Sequence, residues 1–249
     1  CDTAAAAHAR CLASLAEART ALPEAAFVHQ YVGRVALLDG KYQEALEAYH
    51  HAVALAPQDA RIHAALAEVY FAQREIGHAL EAAQRAGAAD PSSAAANCWM
   101  ARCLAEQGST HAQHFARCAL ESAPQWWLAH LAQAEVHIAQ SRLDEAIHSL
   151  GTAQALAPHN ADIQVLNGLL QLQLGTQTNA AAIFEECLAK PHLLTPISQY
   201  RARRALCRIL FGNQLFELAC THADMLLQEF PNDPWALQFR AAVGAEVAI

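Results

Sequence analysis

Residues 26–59 read AFVHQYVGRVALLDGKYQEALEAYHHAVALAPQD, and most of the remaining chain consists of imperfect copies of this stretch. Its apolar side chains recur at intervals of three and four residues on either side of a short break, which predicts two amphipathic helices. Asp39 and Gly40 form the break, since glycine accepts the backbone angles that end a helix. Pro57 ends the second helix, because a proline inside a helix costs about 3 kcal/mol. A single helical hairpin of this size cannot bury both apolar faces, so it requires neighbours.

Prolines recur at about the length of this stretch. Successive prolines are 33, 34 or 40 residues apart, at Pro57, Pro91, Pro124, Pro158, Pro191 and Pro231. A small side chain stands 23 or 24 residues before each of them, at Gly33, Ala67, Ala101, Ala134, Gly168 and Cys207. Small side chains at one recurring place let two helices approach closely. The sequence therefore predicts a row of similar helical hairpins.

This period, together with the recurring positions of small, aromatic and proline residues, resembles the tetratricopeptide repeat family. The resemblance covers nearly the whole chain and six repeats. It implies an all-α fold, a right-handed superhelical solenoid of antiparallel helix pairs, and a role in binding other proteins. In such a solenoid each repeat contacts only its neighbours, so one elongated core serves the whole chain.

The predicted organisation is a single solenoid over residues 1–249. Residues 1–25 are one helix of a partial repeat, and a terminal helix occupies 234–249. Between them lie six repeats and one insertion, at 26–59, 60–93, 94–126, 127–160, 161–192, 193–199 (the insertion) and 200–233. The third repeat is one residue short, and we expect the loss in its turn, near Ser109 and Thr110.

Composition limits the classes of function. The net charge of −8 argues against nucleic-acid binding, which requires a basic face. No run approaches the roughly 18 apolar residues of a membrane span. Eight cysteines occur without a CxxC motif, which predicts neither a zinc site nor a disulfide framework. No phosphate loop, nucleophile elbow or metal-protease motif is present, so the sequence predicts a non-enzyme without a cofactor.

The chain begins in mid-repeat, without an initiator methionine. One interpretation is that it is cut from a longer array or a larger protein. The other is that Cys1 is the acylated first residue of a bacterial lipoprotein. Cysteines at packing positions favour a reducing compartment, so the cytoplasm is expected, with the periplasm or a lipid anchor as the alternative.

In the family resembled, the first helix of each pair lines a concave groove that holds a peptide. Transferred to this sequence by helical position, the predicted groove is mixed at its start, apolar in the fourth and fifth repeats and basic at its end. Its residues are Phe27, Arg34, Phe71, Arg102, Leu128, Leu131, Glu135, Ile138, Val165, Leu169, Leu172, Arg201, Arg204 and Arg208. A contiguous apolar patch often marks a contact site, although neighbouring repeats could also cover it.

Three further patterns have two interpretations each. The arginines near 204 suit an acidic partner segment, since guanidinium groups bind carboxylates, or they form a solvated face. A polar residue recurs at one place, at His29, His63, Asn97, His130 and Gln164, and predicts a structural hydrogen-bond ladder or a pH-responsive groove. His111, His114 and Cys118 share one helix face with metal-like spacing but lack a fourth ligand.

The sequence thus predicts a scaffold that binds a protein or peptide segment in its groove. Two alternatives are a recruiting or regulatory arm of a larger glycosyl- or sulfotransferase and a periplasmic scaffold for secretion or envelope assembly. Neither the partner nor the oligomeric state follows from the residues.

Overall fold

The computed structural model describes the backbone of residues 2–247 and the side chains of residue 10 and residues 12–244. This part of the chain forms fourteen α-helices and one 3-10 helix, and it contains no strand. The predicted all-α helical repeat is therefore confirmed. Cys1, the proposed site of acylation, lies outside the described residues.

The helices follow one another with short connections. Their bounds are α1 Asp2–Ala21, α2 Ala26–Leu38, α3 Tyr42–Leu55, α4 Ala60–Ala72, α5 Ile76–Ala89, α6 Ala94–Glu106, α7 Ala112–Ser122, α8 Trp127–Ala139, α9 Leu143–Leu156, α10 Ala161–Gln173, α11 Gln177–Leu188, α12 Pro196–Gly212, α13 Phe216–Glu229 and α14 Pro234–Val247. The pairs α2–α3, α4–α5, α6–α7, α10–α11 and α12–α13 each pack as a hairpin.

The chain divides into two compact units, residues 1–136 and 137–249, with the boundary inside α8. We call them the first and second unit. The sequence did not predict this division, because the repeat pattern runs through α8 without a break.

The turns inside the hairpins share one backbone geometry. The second residue after the first helix has a positive φ in six of these turns, at Gly40 (71°), Arg74 (67°), Gly108 (67°), Ser141 (58°), Gly175 (81°) and Gln214 (63°). The next residue donates its N–H to a carbonyl five residues earlier, as in Lys41 to Ala36 at 2.8 Å. This bond is the signature of the Schellman motif, which satisfies carbonyls at a helix end.

Two hairpins show why a small residue is needed where their helices cross. A Cβ added to Gly33 would lie 2.9 Å from the ring of Tyr49, and one added to Gly168 would lie 2.5 Å from the ring of Phe184. Both rings are buried. The glycines thus leave the space that an aromatic ring of the second helix fills, as the sequence predicted for close helix crossing.

The recurring polar residue closes the preceding turn. A ring nitrogen (Nε2) of His29, His63 and His130 lies 2.8, 2.8 and 2.9 Å from the carbonyl oxygens of Pro23, Pro57 and Pro124. Asn97 donates to the Pro91 carbonyl at 3.5 Å, whereas Gln164 makes no such bond in the part of the chain that is described. The structural hydrogen-bond ladder is confirmed at these four positions.

The insertion near residue 195 continues the helical structure. A 3-10 helix over Pro191–Leu193 precedes α12, which starts at Pro196. Gln199 donates to the Pro191 carbonyl at 3.0 Å, and Thr195 donates to the Asp162 carboxylate at 3.1 Å. The insertion therefore forms a tight turn and lengthens α12 at its amino end.

Candidate protein-interaction surface

Half of the predicted groove residues lie in the protein interior. Seven are at most 8% exposed, namely Phe71, Arg102, Leu128, Leu131, Glu135, Ile138 and Val165. Leu169, Leu172 and Arg201 are half-buried, whereas Phe27, Arg34, Arg204 and Arg208 are exposed. The prediction that the seven buried residues line an open groove is therefore wrong.

Packing explains the burial in the second unit. Val165 belongs to a buried cluster with Phe184 of α11 and Leu206 of α12, and Leu169 and Leu172 pack against that cluster. The face of α10 that was expected to meet a peptide meets the next first helix instead. The apolar pattern of α10 therefore contributes to the core between repeats.

Burial on α8 is nearly complete. Every residue over 128–138 is buried except His130, which is half-buried. A helix that is apolar around most of its circumference is expected to be enclosed, and Leu128, Leu131 and Ile138 are part of that enclosure. None of the three offers an open apolar surface.

Arg102 and Glu135 form a buried ion pair in the first unit. Arg102 donates from Nε and Nη2 to the two carboxylate oxygens of Glu135, at 2.7 and 3.0 Å. Its guanidinium carbon lies 4.3 Å from the ring centroid of Phe71 and 4.9 Å from that of Trp99. The charges of this pair are thus matched, and two aromatic rings surround the cation.

Arg34 and Glu68 are paired at the corresponding place of earlier repeats. Arg34 donates to the Glu68 carboxylate at 2.8 Å, and the two side chains are 50% and 32% exposed. The Arg34 guanidinium is therefore accessible, but its charge is already balanced. Phe27, on the same helix, is 53% exposed.

At least half of the arginines have a carboxylate partner within the described residues. A carboxylate oxygen lies within 4.0 Å of Arg34, Arg61, Arg102, Arg117, Arg142, Arg203 and Arg240. Arg204 and Arg208 are exposed and have no such partner within the described residues. These two cations, one turn apart on α12, are the candidate contact point for an anionic group.

An aromatic row adjoins these arginines. The guanidinium carbon of Arg204 lies 4.9 Å from the ring centroid of Trp235, which in turn stacks on Phe239 at 4.9 Å. Phe239 meets Phe211 edge to face at 5.8 Å. We call Arg204, Arg208, Phe211, Trp235 and Phe239 the α12–α14 surface. Its three rings are half-buried.

Trp235 is a further residue of this surface, and the repeat pattern carried a signal for it. Trp235 stands 34 residues after Arg201, so it occupies the same place in the repeat as a predicted groove residue. The sequence predicted a terminal helix over 234–249 and assigned it no part in binding. Its first turn instead completes the surface that α12 begins.

The other candidate sites have ordinary local partners. The Sγ of Cys118 lies 3.8 Å from His114, and His111 lies 3.4 Å from Ser109. Among the described residues, no three potential ligands are grouped as a metal site would require. Burial raises the pKa of Cys98, Cys103 and Cys207 to about 12, so these thiols are neutral at physiological pH. Within the part of the chain described, no helix combines the length and hydrophobicity of a membrane span.

Two stretches of the chain match models of known protein families. A family model described as TPR repeat matches residues 33–74, and one described as tetratricopeptide repeat matches residues 131–191. This chain contains tetratricopeptide repeats. A search of curated protein sequences gives no match.

Solved structures of other proteins share the fold of this chain over most of its length. A chain of the APC/C hetero-tetramer Cut9–Hcn1 matches 95% of it with a TM-score of 0.68 and 16% identity, and this match covers 46% of that chain. A tetratricopeptide repeat protein from Parabacteroides merdae matches 92% of it with a TM-score of 0.61 and 17% identity, covering 90% of that protein. PilW, a type IV pilus biogenesis factor, matches 73% with a TM-score of 0.57 and 19% identity, covering 85% of PilW. At these identities the likeness concerns the fold alone.

Proposed function

We propose that this tetratricopeptide repeat protein is a non-catalytic scaffold that binds an acidic segment of a partner protein on its α12–α14 surface. Repeats of this family support a general role in protein interaction. The finer assignment rests on Arg204 and Arg208, which are exposed and have no carboxylate partner within the described residues. In a chain of net charge −8, two such cations on one helix face are suited to an anionic group.

The geometry of α12 favours a segment over a single anion. Arg204 and Arg208 are four residues apart, so their Cβ atoms lie about 5–6 Å from each other on one face. Each planar guanidinium can bind a carboxylate through two parallel hydrogen bonds. Two neighbouring acidic side chains of one peptide match this spacing.

The test is a binding titration with defined peptides. A fluorescein-labelled peptide rich in Glu is titrated with the full chain and compared with a Gln version of the same length. Arg204→Glu/Arg208→Glu should weaken binding of the Glu peptide by at least about tenfold, since hydrogen bonds to charged groups contribute about 1.5–3 kcal/mol each.

A matched control keeps the same net charge change. Arg85 and Arg117 are exposed on α5 and α7, outside the proposed surface. Arg85→Glu/Arg117→Glu should leave binding nearly unchanged. Equal losses in the two double variants would contradict a site on α12 and indicate a general electrostatic attraction.

Two other roles stay open as proposals. A recruiting arm of a larger enzyme requires a catalytic domain in the same gene, and a periplasmic scaffold requires a signal peptide. The full gene sequence tests both. The α12–α14 surface could serve a binding role in either case.

A further inference from the structure

The apolar half of the α12–α14 surface specifies more about the partner. Trp235, Phe239 and Phe211 form a row of ring contacts that begins at the guanidinium of Arg204. These rings are half-buried, so each keeps part of its area accessible. Cations and aromatic area thus lie side by side on one surface.

Trp235 also prepares Arg204 for binding. A guanidinium held over an indole ring is attracted by the π-electrons and keeps N–H donors that can bind a carboxylate. Arg204 therefore loses less side-chain freedom when it binds a carboxylate than an unsupported arginine does. Arg208, one turn further along α12, has no ring contact within the described residues and should depend less on such support.

We infer that the acidic partner segment carries a large aromatic side chain next to its carboxylates. The aromatic side chain packs against Trp235 and Phe211 while the carboxylates pair with Arg204 and Arg208. Trp235 acts as a positioning residue for Arg204 and as a contact for the partner. This inference rests on the proposed function and adds the chemical class of the partner segment.

A nucleic acid is the competing ligand for arginines beside aromatic rings, because bases stack on such rings. The net charge of −8 opposes it, since binding of a polyphosphate backbone depends on an extended basic surface. The two neighbouring cations Arg203 and Arg240 are already paired, with Glu229 at 3.9 Å and Asp224 at 2.7 Å. The available positive charge is therefore local and fits a short acidic segment.

Three peptides of equal length test the inference. The first contains Glu with Phe between the acidic positions, the second replaces Phe by Ala, and the third replaces Glu by Gln. Fluorescence polarisation with the full chain should give binding of the first peptide about tenfold tighter than the second, because burying a Phe side chain is favourable. The third should bind weakest, since it cannot neutralise the arginines.

Variants of Trp235 separate its two roles. Trp235→Ala should remove most of the preference for the Phe-containing peptide and weaken binding of the Ala-containing peptide as well, because Arg204 loses its support. Trp235→Phe should restore part of both effects. Trp126, a half-buried tryptophan of the first unit, provides the control variant Trp126→Ala. Circular dichroism verifies that each variant folds, and Phe211→Ala gives a second test should Trp235→Ala unfold.

The outcomes are distinguishable. Equal binding of the Phe- and Ala-containing peptides would overturn the inference and leave the proposed function intact. Binding of neither peptide would overturn both. Displacement of the first peptide by a single-stranded oligonucleotide, or a second copy of the chain covering these rings in sedimentation experiments, would also overturn the inference.

Discussion

Two arginine–glutamate pairs occupy equivalent places in the first unit, and they differ in exposure. Each of the four residues directly follows the small residue at the helix crossing. Arg34 and Glu68 are 50% and 32% exposed, whereas Arg102 and Glu135 are 6% and 5% exposed. In both pairs the arginine and the glutamate come from successive repeats. One pair is nevertheless a surface contact and the other an interior contact.

The difference teaches that position in the repeat does not fix the energetic role of a pair. The exposed pair is solvated before and after it forms, so its net contribution is small. The buried pair has lost its water, and its hydrogen bonds with the Phe71 and Trp99 contacts replace that hydration. Removing one partner should therefore have very different results in the two places.

The largest expected effect comes from Arg102→Ala. This change leaves the Glu135 carboxylate buried without its guanidinium, and it should lower the free energy of unfolding by about 3–5 kcal/mol. The matched variant Arg34→Ala should lower it by about 1 kcal/mol or less. Urea unfolding followed by circular dichroism measures both. Similar small values for the two variants would show that water reaches Glu135 once the arginine is absent.

Replacing both partners should reverse most of the first effect. Arg102→Leu/Glu135→Leu removes both buried charges, and replacing a buried pair by apolar residues is often neutral or stabilising by about 1–4 kcal/mol. We expect a stability well above that of Arg102→Ala. Arg34→Leu/Glu68→Leu is the control at the exposed pair and should change little. If Arg102→Leu/Glu135→Leu were less stable than Arg102→Ala, the unpaired buried charge of Glu135 would not explain the effect of Arg102→Ala.

Thiol reactivity reports local opening near the buried pair. Cys98 and Cys103 flank Arg102 on α6, and burial raises the pKa of both thiols to about 12. Because the thiolate is the reactive form, a maleimide should label them much more slowly at neutral pH than the half-buried Cys118. Arg102→Ala should accelerate their labelling, and Arg34→Ala should not. Acceleration in both variants would mean that the two pairs open together.

Salt should produce the smallest difference. At 1 M ionic strength the Debye length is about 3 Å, so the coupling of exposed charges is largely screened. A double-mutant cycle on Arg34 and Glu68 should give a coupling of about 0.2–1 kcal/mol at low salt and less at high salt. The coupling of Arg102 and Glu135 should change little. A strong salt dependence at the buried pair would contradict its seclusion from solvent.

Much of the fold could be predicted from local residue chemistry. Gly33 and Gly168 indicated close helix crossings, and the structure places an aromatic ring against each. His29, His63 and His130 stood at one recurring place and accordingly share one partner type, the carbonyl of a proline. The glycine contacts lie within one repeat, and each histidine bond reaches only to the end of the preceding repeat, so both recur whenever the sequence does.

Whether the predicted groove is open to solvent could not be predicted in the same way. Helical periodicity shows which face of α8 or α10 Leu131 and Val165 occupy, but it does not show how closely the next repeat approaches that face. The opposite charges of Arg102 and Glu135 at equivalent places were a usable signal of contact between repeats. The contact of Arg204 with Trp235 depends on the placement of α14 relative to α12, which no single repeat contains.

The crossings of α2 with α3 and of α10 with α11 have a consequence for how such chains can recombine. Tyr49 fits only where residue 33 lacks a side chain, and Phe184 fits only where residue 168 does. A genetic crossover or a designed graft between positions 33 and 49 would separate the ring from its hollow and join mismatched halves. Joins at the prolines would transfer each ring together with its glycine. The segment that can be exchanged without disturbing these two contacts is therefore the helical hairpin, bounded by prolines, rather than the single helix.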